Sequence, residues 1–273
     1  MCQWRRSFKR TDGGHVSSSL ETLATAYVAS FNPEHEKWNG YPDGVRKAIE
    51  VFNLLNIKPM RPLLLAISVK FGQKQAAAAF NFLVSLGVRL LIASTTRSSS
   101  VELPLAAAAN DVFTDKYTTF ADLKKHLAGI TPNDTECFGG RASASLEVAA
   151  CTVLSALVGN GCKNEAEPWF IPMDDRAIIN LEHVLPKKPT DKWPQFTDDE
   201  AALYANRLGN QALLRASDNS NLQSIGFADK KKVYAASPYI LTSQIAGLAD
   251  WNPAAIAKRQ KALAALAAKA WPI

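Results

Sequence analysis

Apolar residues recur at intervals of three and four positions from residue 20 to residue 158, which is the spacing of amphipathic helices. Glycine, proline and serine-rich stretches interrupt the pattern and divide it into segments. The pattern predicts a helical domain over residues 1–168, ending in the polar loop 159–168. Its predicted helices are residues 20–31, 44–55, 63–71, 73–93, 102–113, 119–128 and 143–158.

The pattern changes beyond residue 168. Residues 178–185 alternate and are rich in branched side chains, which is typical of a strand, and Pro186 ends it because proline has no amide hydrogen to donate. Residues 211–215 form a second short apolar run of the same kind. Helical spacing returns at residues 198–207, 230–236, 242–248 and 254–270. The sequence therefore predicts a second domain, 169–273, with two short strands among helices.

Composition is that of a soluble globular protein, with 47% hydrophobic and 21% charged residues. The formal net charge is +6 and the sequence pI is about 9.1. A basic surface suits a polyanion partner, because lysine and arginine that neutralise phosphates release condensed counterions. Ordinary surface lysines are the other interpretation of the same charge.

Neither a membrane segment nor a secretory signal is expected. The most apolar window, residues 76–93, contains Asn81 and Arg89, and the basic N-terminus is followed by polar residues. The cysteines form no C-x-x-C pair, so neither a disulfide framework nor a structural zinc site is predicted. We therefore expect a cytoplasmic protein with no membrane partner. The four cysteines are Cys2, Cys137, Cys151 and Cys162.

Candidate chemistry is concentrated in residues 180–221. Hydrolysis of a phosphodiester needs a base to activate water and a cation to stabilise the charged oxygens. His183 suits the first task, because an unperturbed imidazole is largely neutral yet basic near pH 7. Glu182 and Asn219 offer the hard oxygen ligands that Mg²⁺ prefers. Asn210, at the start of the second predicted strand, is the fourth candidate site residue.

The order and spacing of these residues resemble those of a known family. The sequence Glu-His-Val-Leu-Pro at 182–186, then Leu-Gly-Asn at 208–210 and finally Asn219, resembles the HNH (His-Me finger, ββα-metal) nuclease pattern. More narrowly, it resembles the C-terminal nuclease domain of GmrSD-type modification-dependent restriction systems of bacteria. Residues 20–158 resemble, more weakly, the helical region that precedes that domain. The resemblance implies a mainly α fold, a helical bundle followed by an HNH-like ββα-metal domain with a small antiparallel β-hairpin.

The resemblance also implies roles. His183 would be the general base, Glu182 and Asn219 would bind Mg²⁺ or Mn²⁺, and Asn210 would orient the histidine. Asn221 is the alternative metal ligand if the turn has another register. Lys230, Lys231 and Arg259 are further candidates for phosphate contact, and a solvated helix face is the other interpretation of these three.

This sequence departs from the family at some positions. Gln211 and Lys187 stand where the family has an apolar residue and a glutamine, and neither change removes a catalytic group. Family members commonly carry an N-terminal ParB-like domain with an Asp-Gly-Gln-Gln-Arg signature, and this sequence has no such motif. A sensor or NTPase subunit is therefore expected as a partner, unless the chain is a truncated form.

Two functions follow as hypotheses. The first is a metal-dependent DNA endonuclease or nickase of a restriction and anti-phage defence system. The second is a DNA-binding or partner-binding regulatory module, whose nuclease fold is inactive without the sensor domain. The sequence leaves open which DNA modification is recognised, whether one or both strands are cut, and the oligomeric state.

Overall fold

The structure is a computed structural model that describes residues 13–93, 99–138, 179–219, 222 and 224–273. The chain divides into two compact units. The first unit is Met1–Val84 with Ser99–Ile130, and the second is Ser85–Ser98 with Thr131–Ile273. The predicted helix 143–158 and the predicted boundary loop 159–168 lie outside the described residues. The division into domains 1–168 and 169–273 stays a prediction.

Every secondary-structure element described in the first unit is a helix. Short 3₁₀ turns at Glu36–Trp38, Lys58–Met60 and Ala128–Ile130 connect or extend its helices. Helix α4 runs across the division, with its residues up to Val84 in the first unit and the rest in the second. The helices are α1 Gly13–Ala29, α2 Gly44–Leu55, α3 Arg61–Lys70, α4 Gln73–Ile92, α5 Ser99–Phe113 and α6 Phe120–Leu127.

The predicted helices of this unit are confirmed, and local chemistry explains their starts. Thr119 caps α6, since its side chain accepts a hydrogen bond from the backbone amide of Asp122. Pro62 lies in the first turn of α3, where its missing amide hydrogen costs nothing. The predicted start of the first helix at Leu20 is wrong, because α1 begins at Gly13. A glycine in a helix costs only about 1 kcal/mol relative to alanine, so it does not by itself end one.

Helix α4 is, among the described residues, the one helix long and apolar enough to cross a membrane by length and composition. Of its most apolar window, 78% is buried inside the structure. Its polar members include Arg89, which is only 1% exposed and donates hydrogen bonds to the carbonyl oxygens of Trp271 and Pro132. This degree of burial is that of a core helix.

The second unit contains a two-stranded antiparallel sheet. Strand β1 is Ile179–His183 and strand β2 is Gln211–Arg215, paired so that Ile179 lies opposite Arg215 and His183 opposite Gln211. Both predicted strands are confirmed. The helices of this unit, besides the end of α4, are α7 Asp134–Phe138, α8 Asp198–Tyr204, α9 Ala216–Asn219, α10 Phe227–Ala235, α11 Ile240–Ala246 and α12 Pro253–Ala270. Its described part is thus mainly helical with a small antiparallel sheet.

Apolar side chains from the strand ends, the connecting segments and the helices form one core in this unit. Asn252 caps α12 because its side chain accepts a hydrogen bond from the backbone amide of Ala255, and Trp251 just before it is fully buried. The core residues are Val184, Leu185, Trp193, Phe196, Ala201, Ala212, Leu214, Leu222, Phe227, Tyr234, Ile245, Trp251 and Ile256. This core holds the sheet against the helices, so the position of the end of β1 is fixed by its packing.

Gly209 brings the start of β2 close to α12. It lies in a 3₁₀ turn, Leu208–Asn210, and its amide donates to Gln260 Oε1 at 2.5 Å. A Cβ at position 209 would lie 2.5 Å from the carbonyl oxygen of Ile256 and 3.0 Å from Gln260 Cβ. The approach therefore requires glycine.

Replacement of Gly209 by alanine should lower the free energy of unfolding by about 1–3 kcal/mol, the usual cost of overpacking. Urea denaturation followed by circular dichroism measures the change. Gly129→Ala is the matched control, because no atom lies within 4 Å of a Cβ at that position. Equal stability of the two variants would contradict the close approach of the turn to α12.

Candidate active site

The predicted catalytic pair lies at the end of strand β1. Successive residues of a strand point to opposite faces of the sheet. Glu182 is buried with only 6% exposure, whereas His183, the last residue of the strand, is half-buried. The carboxylate and the imidazole therefore leave the strand on different faces.

Glu182 is held by two side chains of α10. Its Oε1 accepts a hydrogen bond from Lys230 Nζ at 2.6 Å and from the Tyr234 hydroxyl at 2.7 Å. Lys230 is fully buried, and its ammonium also donates to the backbone carbonyl of His183 at 3.0 Å. It lies 5.7 Å from the ring centroid of Trp193, within cation–π range. A single buried lysine thus joins the carboxylate to the backbone of the adjacent histidine.

Burial dominates the electrostatics of this cluster. It raises the pKa of the Glu182 carboxyl above its usual range, and the neighbouring Lys230 ammonium opposes that rise. It lowers the pKa of Lys230, and Glu182 opposes that fall. The pKa of the Tyr234 hydroxyl is raised by burial and then by the carboxylate. Each group therefore depends on the others to keep its charge or its proton.

His183 is neutral at pH 7. Burial lowers its pKa from 6.5 to about 4, and the positive charges of Lys187 and Lys230 lower it further in the same direction. Within the described part of the chain, neither imidazole nitrogen makes a hydrogen bond. The ring therefore offers a lone pair for accepting a proton.

Asn210 makes a different contact from the one predicted. It is fully buried, and its amide nitrogen donates to the carbonyl oxygens of Leu185 and Ala205, each at 2.9 Å. Its Oδ1 accepts from the Leu185 amide at 2.8 Å and from Trp251 Nε1 at 3.0 Å. An asparagine side chain has two donors and two acceptor positions, so this set uses all four. Asn210 fixes the backbone just after His183 and does not bond the imidazole.

Asn219 ends the short helix α9, which follows β2 and contacts both strands. The residue is half-buried, and its backbone carbonyl accepts a hydrogen bond from the Leu222 amide. The alternative ligand, Asn221, lies outside the described residues. Among those residues, no group of three or more histidine, cysteine or acidic side chains is placed to hold a metal.

The three cations predicted to contact phosphate make intramolecular contacts instead. Lys230 pairs with Glu182, and Lys231 Nζ donates to the carbonyl oxygen of Leu248 at 2.7 Å. Arg259 donates to the carbonyl oxygens of Gly209 and Gln211 at 2.8 and 2.7 Å, and burial lowers its pKa to about 10. Phosphate contact by Lys230 or Arg259 would require these bonds to break, and neither residue is presented to solvent as a free cation.

Comparison with known protein families relates part of the chain to a nuclease family. Residues 159–266 match the family model of the C-terminal domain of GmrSD restriction endonucleases. The predicted resemblance is confirmed for this stretch, which includes His183, Asn210 and the residues around them. The match covers less than half of the chain and does not reach residues 20–158, whose resemblance to the preceding helical region stays a prediction. A comparison with curated proteins gives no match.

The GmrSD match associates this part of the chain with restriction endonucleases, and it therefore supports a nuclease activity with DNA as substrate.

The site residues that the sequence did not predict are those that hold the candidate residues in place. Tyr234 and Trp251 were not among the predicted site residues, yet they donate hydrogen bonds to Glu182 and Asn210. Lys230 and Tyr234 are four residues apart, so they share one face of α10, which is the signal that could have paired them.

The Glu182–Lys230 pair should be strongly coupled in stability. Lys230→Met leaves a buried carboxylate without its cation, and such a change costs about 3–5 kcal/mol. Adding Glu182→Gln removes the unpaired charge. The free energy of unfolding of the double variant should therefore fall by much less than the sum of the decreases in the two single variants. Chemical denaturation of the four proteins gives the coupling. Lys232→Met on the exposed side of α10 is the control, and additive losses would show that the pair is not coupled.

His183 should make stability depend on pH. The unfolded chain protonates this residue near pH 6.5, whereas the folded chain does so near pH 4. Folding therefore disfavours the protonated form, and its contribution is present above pH 6.5 and lost as the pH falls through 4. In EDTA, the difference in melting temperature between wild type and His183→Gln should change over this interval, and an NMR titration of the ring should give the low pKa. A ring that titrates at 6.5 would contradict the structure.

Proposed function

We propose that the chain is an HNH-type DNA endonuclease or nickase that hydrolyses phosphodiester bonds with His183 as general base. One observation carries the proposal. His183 ends the first strand of an antiparallel pair, and this pair and the short helix after it lie within the stretch that matches the GmrSD C-terminal domain. The order strand, strand, helix, with the histidine at the end of the first strand, supports the ββα-metal interpretation.

The imidazole has the properties that the base needs. It is neutral at pH 7, half-buried and bound to no described side chain, so it can accept a proton from water. Its low pKa in the free protein makes it a weak base. A phosphodiester carries negative charge, and negative charge beside an imidazole raises its pKa. Binding of DNA would therefore strengthen the base when it is needed.

We further propose Mg²⁺ or Mn²⁺ as cofactor, with Glu182 and Asn219 as its protein ligands. A metal would supply a positive charge for the phosphate oxygens. The donor chemistry fits, because Glu182 is a hard oxygen ligand whose carboxylate is oriented by hydrogen bonds from Lys230 and Tyr234 to Oε1. Carboxylates that bind metals are themselves commonly hydrogen-bonded, and Mg²⁺ needs only one or two of them because it keeps several waters.

The formal net charge of +6 supports a DNA partner, and the GmrSD match supports a restriction and antiviral defence role. We also propose a sensor or NTPase domain or subunit as a partner, and a cytoplasmic location.

One observation favours the alternative function, a regulatory DNA-binding or partner-binding module. Lys230 and Arg259 are occupied by contacts within the protein, so the domain does not present these two as a phosphate clamp. A partner would then have to supply the missing contacts before cleavage. Salt-dependent DNA binding without cleavage, unchanged by His183→Ala, would support this alternative.

The enzyme hypothesis is tested on supercoiled plasmid. The wild-type protein should nick it with Mg²⁺ or Mn²⁺ and not with EDTA. His183→Ala should lower the rate by a factor of about 10² to 10⁴, the usual contribution of a general base. His35→Ala removes a histidine of the first unit and should leave the rate unchanged. Equal rates for wild type and His183→Ala would exclude this residue as the base.

Asn219→Ala should raise the Mg²⁺ concentration needed for half-maximal nicking by about 10- to 100-fold, the range seen when metal-site contacts are lost. Asn206→Ala is the matched control, because this asparagine is exposed and precedes β2. A metal titration of the nicking rate gives both values. Identical titration curves for the two variants would exclude Asn219 as a metal ligand.

A further inference from the structure

Gln211 carries a buried side-chain oxygen that has no hydrogen-bond partner among the residues that the structure describes. The residue is only 1% exposed, and its Oε1 accepts no hydrogen bond within the described part of the chain. Its amide nitrogen donates to the carbonyl oxygen of Asn206 at 3.5 Å, the outer limit for such a bond. A buried acceptor left unpaired is costly, so its retention in a small core needs an explanation.

His183 is the cross-strand neighbour of Gln211. The amide of Val184 donates to the carbonyl oxygen of Asn210 at 3.0 Å, one residue beyond the pair on each strand. A bond at that position flanks a non-hydrogen-bonded pair, in which opposite Cα atoms are only about 4.5 Å apart. Both side chains point to the same face and lie closer than in the alternate kind of pair. Gln211 is therefore within reach of the imidazole.

In the Gln211 side-chain amide, the oxygen and not the nitrogen is the atom without a described hydrogen-bond partner. If the oxygen and nitrogen were exchanged, the oxygen would face the carbonyl of Asn206, and two acceptors would oppose each other. Asn210 cannot take the role instead, because its four hydrogen-bonding positions are used by Leu185, Ala205 and Trp251. Lys187 and Lys230, the charged groups that act on the ring, have no acceptor to offer.

We propose that Gln211 is the positioning residue of His183, with its Oε1 accepting the N–H of one imidazole nitrogen so that the other nitrogen presents its lone pair to water. The inference rests on the proposed function, which assigns His183 as the general base. The bond is not formed in the free structure, and the weak contact to Asn206 leaves the glutamine able to turn. Such bonds are often long in free enzymes and tighten when substrate binds.

The tautomer of His183 tests the proposal without reference to cleavage. In ¹H–¹⁵N multiple-bond spectra of the full chain at pH 7.5, with a short DNA duplex and Ca²⁺ as the probes, wild type should show one dominant tautomer of this ring. Its signals are assigned by their loss in His183→Ala. Gln211→Met has the same length without an acceptor and should give a mixture of tautomers. Gln211→Glu keeps an acceptor and should retain one tautomer, and Gln244→Met, an exposed glutamine on α11, should match wild type.

Kinetics provide the second readout. Gln211→Met should lower kcat for plasmid nicking by about 10- to 100-fold with a smaller change in KM, because it alters the base and not DNA binding. An unchanged tautomer and an unchanged kcat in a folded Gln211→Met protein would overturn the proposal. If the tautomer changes with Gln211 while wild type cleaves no DNA, positioning stands and the proposed nuclease function fails.

Discussion

The second unit depends on the buried side chain of Asn210. Its four hydrogen bonds tie together the segment after β1, the residue after α8 and the indole that precedes α12. Its backbone carbonyl accepts the last bond of the β ladder, from Val184. That bond fixes where the ladder ends, and so it makes His183 and Gln211 the final pair. The position of the candidate base is thus set by a residue that does not touch it.

The other face of the strand is fixed by charge. Lys230 reaches from α10 to Glu182 and to the backbone of His183, and Tyr234 one turn later completes the contact. Removing either charge of such a pair leaves the other buried and uncompensated. Glu182 therefore anchors the strand to α10 through its Oε1, and the imidazole of His183 leaves the strand on the opposite face.

Much of this was predictable from local sequence. Periodicity predicted the strands and most of the helices, and the structure shows that Thr119 and Asn252 cap two of the helix starts. The tertiary role of Lys230 was not predictable in the same way. Three consecutive lysines at 230–232 are typical of a solvated helix face, and only the position of Glu182, far away in sequence, makes the first of them a core residue. The side-chain contacts of Asn210 likewise depend on Trp251, which no local pattern connects to it.

The imidazole of His183 is proposed to accept the proton during DNA cleavage. Chemical rescue tests it most directly, because free imidazole added to the buffer can replace the missing side chain only if that side chain was the base. Nicking by His183→Ala should rise with imidazole concentration toward the wild-type rate, whereas wild type should be insensitive to it. Nicking by His183→Ala at the wild-type rate, with no dependence on imidazole, would contradict the account.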